Sequence, residues 1–149
     1  MSLLKIVTIP SKNLREPSQE IKSADISQLS VLIENMIDTM YAGDGIGLAA
    51  PQIGQNIQLI VIGKDATTNN RDWALINPQI IKHSWRKQTA EEGCLSVPGI
   101  NVKVTRSKKI IVKALSQEGK EFTFTAEDYF ARVLQHEIDH LNGILIVDK

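Results

Sequence analysis

Gln135-His136-Glu137-Ile138-Asp139-His140 decides how the rest of the chain is read. Two histidines four residues apart on a helix lie on one face, one turn from each other. Both rings then reach a single tetrahedral metal ion. Glu137 stands between them, placed to face whatever water that ion holds. H-E-x-x-H on a helix is the pattern of a metal-assisted hydrolase with a carboxylate general base. The helix carrying it is expected to start at Thr125, as N-cap with Asp128 three residues on, and to run to Leu141 or Asn142. Gly143 falls where a left-handed C-terminal cap belongs.

Phe130, Val133, Leu134 and Leu141 form the apolar stripe of this helix. At about 100° per residue, Glu137 lies near the middle of that stripe and the two histidines along its edge. A carboxylate so placed is poorly solvated, which raises its pKa. Three polar residues on a solvated helix face would not sit beside an apolar stripe.

Two imidazoles are too few for a catalytic site, which commonly uses three protein ligands. Downstream of His140 the chain has nine residues, and their one acid is Asp148. The third ligand is therefore expected upstream, with His83 and Cys94 as candidates and any carboxylate a distant third. His83 lies among Lys82, Arg86 and Lys87 and reads as a surface histidine. Cys94 is preferred, because a thiolate binds strongly and the neighbouring Gly93 gives access.

The chain has 149 residues, enough for one domain spanning 1–149, and 42% of them are hydrophobic. Net charge is zero, with no dominant basic face, which argues against a general nucleic-acid binder while leaving room for a local contact. Cys94 is the one cysteine, so no disulfide forms within the chain. That suits a reducing compartment, and a cytoplasmic location is expected; a cleaved organellar leader would leave no trace. No apolar run approaches the roughly 18–20 residues that span a bilayer.

In chain order, residues 5–9 read as a strand and 11–24 as a polar loop. A helix is expected from Asp25, capped by Asp25 or Ser23, with Ile26, Leu29, Ile33, Met36, Ile37 and Met40 at helical spacing. Gly43-Asp44-Gly45 ends it. The small residues from Gly45 to Ala50 let another backbone come close. Strands follow at 57–63 and 73–76, the second stopped by Asn77-Pro78. Residues 79–90 are ambiguous but strand-like, and Glu91 to Gly99 reads as turn-rich. Further strands are expected at 101–105, 109–116 and 121–125, the last two joined by a hairpin turn at 117–120. A short final strand is expected at 144–147. The expected class is α+β: antiparallel strands around a central metal-binding helix, with the first helix packed outside.

Gly45-Ile46-Gly47-Leu48-Ala49-Ala50-Pro51-Gln52, Glu92-Gly93-Cys94-Leu95-Ser96 and Gln135 to His140 together resemble the three signature motifs of peptide deformylases, in the same order and at similar separations. The resemblance covers most of the chain. It implies removal of the formyl group from N-formylmethionine at the start of new polypeptides. It implies a divalent metal on Cys94, His136 and His140, natively ferrous iron, with zinc, nickel or cobalt as substitutes. Glu137 would take a proton from water and deliver it to the departing amine. Gln52 and the backbone N–H of Leu95 would donate to the oxyanion. Gly45, Ile46, Gly47, Gly93 and Val133 would contact substrate. Crowding at Gly47 and Gly93 would exclude larger acyl groups, and Asp139 would pair with Arg106 as a brace. Partners would be formylmethionyl peptides, with transient ribosome contact, no membrane and no specific nucleic acid, and the protein a monomer. Many bacterial members continue into a further C-terminal helix, and many carry arginine where Asn101 stands; ribosome docking and recognition beyond methionine differ accordingly.

Two rival readings have clear discriminators. A metallopeptidase or amidase of other specificity would cleave internal bonds or other acyl groups. A deformylase-like binding module without catalysis would be indifferent to loss of Glu137.

Overall fold

The computed structural model describes residues 2–149. Five strands form an antiparallel sheet in the order β1-β2-β3-β6-β7: Gly47–Ala49, Leu59–Ile62, Trp73–His83, Lys109–Leu115 and Glu121–Glu127. A second, two-stranded sheet pairs β4, Lys87–Cys94, with β5, Val97–Ser107. Two α-helices, α1 (Ser30–Ala42) and α2 (Asp128–Leu141), complete an α+β fold.

β2 shows how the layers are specified. Successive strand residues point to opposite faces. Ile60 and Ile62 pack with Phe130, Leu134 and Ile138 of α2, whereas Leu59 and Val61 pack with Ile33, Met36 and Met40 of α1. A continuous apolar run thus serves a strand covered on both faces. The β4–β5 hairpin adds a smaller cluster in which Val97 and Val104 pack with Ile146, Ile9 and the side of Cys94.

Several expectations need correction. Residues 5–9 are not a strand: the N–H of Val7 donates to the Gln52 carbonyl at 2.7 Å, and that of Ile9 to the Ser96 carbonyl at 3.0 Å. These bonds go to two different segments, so no ladder forms. The first α-helix starts at Ser30; residues 23–28 make a 3-10 turn, and Leu29 is the N-cap without a side-chain cap bond. β3 runs through Asn77-Pro78. Asn77 takes φ 51° at a register shift, and its side chain exchanges hydrogen bonds with the Ile21 backbone at 2.8 and 2.9 Å. The bulge absorbs the missing proline N–H. Glu91 to Gly93 belong to β4, so the expected turn narrows to Leu95-Ser96. Thr125 stays in β7, and Glu127 precedes α2 without a side-chain cap bond. The last residues form a 3-10 turn at Ile146–Asp148 in place of a strand. Gly143 does adopt the left-handed conformation, at φ 73°, closing α2 through Ile144 N–H to the Asp139 carbonyl at 3.0 Å.

Candidate metal centre

α2 lies with its apolar stripe against the large sheet, and the stripe's edge faces the β4–β5 turn. That placement brings Cys94 to His136 and His140. Their donor atoms all lie within 4.8 Å of one another, the one such grouping among the described residues. Cys94 Sγ is 3.3 Å from His140 Nε2, which is 3.3 Å from His136 Nε2. Bonds of roughly 2.0–2.1 Å to nitrogen and 2.3 Å to sulfur put neighbouring corners of a tetrahedron roughly 3.3–3.6 Å apart. The donor set therefore fits a small divalent ion in both chemistry and spacing. His83 is elsewhere: it is exposed, with Nδ1 3.2 Å from Ser107 Oγ.

His136 is held by its other nitrogen. Nδ1 lies 2.9 Å from Glu92 Oε1, which directs Nε2 toward Cys94 and His140. Glu92 is itself gripped: Arg106 donates through Nε at 2.6 Å and Nη2 at 2.8 Å, and Arg132 through Nη1 at 2.6 Å. Burial alone would push the Glu92 carboxyl upward. The bonds from His136, Arg106 and Arg132 overcome that and hold it at about 2. Arg106 also reaches Asp139 Oδ2 at 2.8 Å, the pairing expected of these two residues. Arg132 donates to the Val104 carbonyl at 2.9 Å, and Gln135 brackets the Ser107 backbone at 2.8 and 3.1 Å. α2 is thus stitched to the β4–β5 hairpin by its own polar side chains.

The sequence reading missed Glu92 and Arg132 as parts of this support. The available signal was Arg132 one helical turn before His136, on the same face of the helix as that histidine. Replacing Glu92 by Ala leaves the buried Arg132 guanidinium without a carboxylate and Arg106 with Asp139 alone. Losing one partner of a buried ion pair is worth about 3–5 kcal/mol. A loss of that size is expected in urea unfolding of the Glu92→Ala chain, with reduced metal content.

Glu137 is 4% exposed. Burial pushes its carboxyl up to about 7, against the pull of His136 and Arg106. Oε1 has no hydrogen-bond partner among the described residues, and Oε2 lies 4.0 Å from His136 Nε2. A buried carboxylate with one unpartnered oxygen, next to three atoms that could hold a metal ion, is suited to accept a proton from water.

Gln52 has a fixed amide. The Ala49 N–H can only donate, and it does so to Gln52 Oε1 at 2.9 Å. The NH2 group therefore faces the site, 3.2 Å from Ser96 Oγ and 3.5 Å from Cys94 Sγ. Gly45, Ile46, Gly47, Gly93, Leu95 and Val133 line one cavity of about 540 Å3, together with Gln52, His136 and Glu137. Asp44, Glu91 and Tyr129 also line it, and the sequence reading did not single them out. Gly47 is required by close approach, whereas the end of the exposed Asn101 side chain can turn aside from a Cβ on Gly93. A Cβ on Gly47 would lie 2.7 Å from Glu137 Oε2, and one on Gly93 would lie 2.8 Å from Asn101 Oδ1.

Comparison with known proteins agrees with this geometry. A family model described as polypeptide deformylase matches residues 3–149. The chain is 50% identical over 149 residues to a peptide deformylase of Syntrophomonas wolfei, covering all of this chain and 94% of that one. It is similar to the crystal structure of peptide deformylase from Thermotoga maritima, at TM-score 0.93 and 41% identity, covering 100% and 98% of the two chains. A Met-Ala-Ser-bound class I type b peptide deformylase from Acinetobacter baumannii matches at TM-score 0.93 and 29% identity, covering 99% of this chain and 98% of that one.

Proposed function

Because this chain belongs to the peptide deformylase family, metal-dependent hydrolases that remove the formyl group from the N-terminal formylmethionine of nascent polypeptides, we propose how its residues divide that work. Residues 1–149 act as one catalytic domain. Cys94, His136 and His140 hold a divalent ion, natively ferrous iron; a mixed thiolate and imidazole set also accepts zinc, nickel or cobalt. When bound, the ion supplies Lewis-acid activation of water at neutral pH.

The other steps belong to the chain itself. Glu137 takes the proton of the attacking water on a carboxylate oxygen. It later returns that proton to the departing methionine nitrogen. Gln52 Nε2 and the backbone N–H of Leu95 donate to the formyl oxygen as it gains charge. The substrate backbone pairs with β1, the edge strand of the large sheet, where Gly45, Ile46 and Gly47 leave room for an added strand. Val133 and Ile46 wall the methionine side chain. Gly47 and Gly93 leave space for a formyl hydrogen and crowd any larger acyl group.

The observation that carries this reading is the buried Glu137 carboxylate, one oxygen without a partner among the described residues and the other 4.0 Å from His136 Nε2, next to the grouped donors of Cys94, His136 and His140. The deciding assay is formate release from formyl-Met-Ala-Ser, run beside acetyl-Met-Ala-Ser and an internal-cleavage substrate. Equal turnover of the acetyl peptide, or cleavage of internal bonds, would refute it. Iron, zinc and nickel analysis of anaerobically purified protein tests the metal assignment.

Gln52→Ala removes one oxyanion donor, and such a donor is worth roughly 2.7–4 kcal/mol of barrier. A fall in kcat of about 10²–10³ is expected with metal content unchanged. On this reading the protein acts on chains leaving the ribosome, in the cytoplasm, as a monomer in transient ribosome contact. No helix of the described chain is long and apolar enough to cross a membrane.

A further inference from the structure

One edge of the fold is cationic and has no part in the metal centre. β3 ends at His83 and β4 begins at Lys87, so residues 84–86 turn between the two sheets. This turn is tied to the β5–β6 junction. Ser84 N–H donates to the Lys109 carbonyl, and Lys108 N–H to the Arg86 carbonyl, both at 2.9 Å. Lys109 N–H also donates to Ser84 Oγ at 3.1 Å. The tie gathers Lys82, Arg86, Lys87 and Lys108, all exposed, around one rigid turn.

No acidic residue occurs from Gln79 to Ala90 or from Gly93 to Gln117. None of the four cations is in an ion pair with a described residue. Lys109 beside them reaches Glu127 at 3.5 Å, and Glu127 and Asp128 are the acids bordering the patch. In a chain of zero net charge this is a local field of one sign. Trp85 stands in the turn at 89% exposure, the most exposed large apolar side chain among the described residues. Its ring has no aromatic partner, unlike Trp73, which packs edge-on against Phe124 and Phe130.

We propose that this edge binds single-stranded RNA, with phosphates on Lys82, Arg86, Lys87 and Lys108 and one base stacked on Trp85. Cations around an exposed ring are the elements of sequence-tolerant single-strand binding: charge tracks the backbone and every base has a face to stack. The hydrogen-bonded turn already fixes the backbone that carries the ring, so little backbone order is lost on stacking. An anionic bilayer fits less well. Adhesion there needs buried apolar area as well as charge, and this edge offers the charge but only one ring and a half-exposed Ile81 of apolar surface. The choice of RNA rests on the function proposed above, because nascent chains are made on RNA-bearing particles.

The test uses the full chain and a short fluorescein-labelled oligouridylate, followed by anisotropy without any peptide, so its failure is separate from failure of the deformylase reading. Binding should weaken with salt at a log–log slope of about −2.8, for four phosphates at about −0.7 each. Trp85→Ala should weaken binding at least fivefold, since stacking is worth about 1–3 kcal/mol per base. Lys87→Glu with Lys108→Glu should halve the slope. Both variants should release formate from formyl-Met-Ala-Ser at the parental rate, which also certifies their folding. Absence of RNA binding by the parent at low salt overturns the proposal. So does parental affinity in Trp85→Ala, or binding to phosphatidylserine vesicles in place of RNA.

Discussion

Replacement of Glu137 by Gln should lower kcat/KM for formyl-Met-Ala-Ser by about 10²–10⁴, the range of a positioned general acid–base group. The change keeps the shape of the side chain and removes its ability to take a proton. Metal content should remain that of the parent, because Glu137 is not among the three grouped donors. The fold should not suffer. A carboxylate at 4% exposure with an unpartnered oxygen is a burden on the native state, and a neutral amide lessens the desolvation. Urea unfolding of the chelated proteins should therefore show Glu137→Gln at least as stable as the parent, a separation of stability from activity typical of a functional residue. A variant that keeps a tenth or more of parental turnover would remove Glu137 from the chemistry. A variant that loses its metal would leave the activity loss uninterpretable as proton transfer, and Glu137 would then be reassigned as a support of the site.

Much of this site was legible because its physics is local. The spacing of His136 and His140 is a helix period, and the apolar stripe around Glu137 is the same period read on the other residues. Gly143 at φ 73° is a one-residue statement that the sequence makes directly. Cys94 was reachable by its chemistry, since it is the one thiol in the chain. What stayed hidden depends on partners far apart in sequence. Glu92 looks like an acid in a turn-rich segment until Arg106, Arg132 and His136 arrive from β5 and α2. Asn77-Pro78 looks like a strand end because proline lacks an N–H. It is tolerated because the Asn77 side chain binds the Ile21 backbone, which lies 56 residues away. Thr125 looks like a helix cap, but pairing with Ile111 keeps it in β7. Local propensity lost to long-range pairing in each case.

A second large effect is expected from the smallest change available, Gly47→Ala. The new methyl would lie 2.7 Å from Glu137 Oε2, 2.9 Å from its Cγ and 3.0 Å from its Cδ. All three distances are below ordinary contact, and the carboxylate is enclosed too tightly to swing into solvent. Either Glu137 rotates away from Cys94, His136 and His140 or β1 retreats from α2. Both displace the proton acceptor, and misplacement by about 1 Å can cost 10²-fold in rate. Overpacking of this kind also destabilises by about 1–3 kcal/mol. Gly45→Ala is the matched control. Its methyl would meet Leu95 Cδ1 at 2.9 Å, the end of a flexible side chain that can turn aside. We expect Gly45→Ala to stay within a few-fold of parental kcat while Gly47→Ala falls by about 10². The double variant Gly47→Ala with Glu137→Ala then isolates the cause. With the carboxylate gone the methyl has nothing to displace, so the two losses should be far from additive. Additive losses would mean that Gly47 acts through the peptide-pairing edge of β1 and not through the acid behind it.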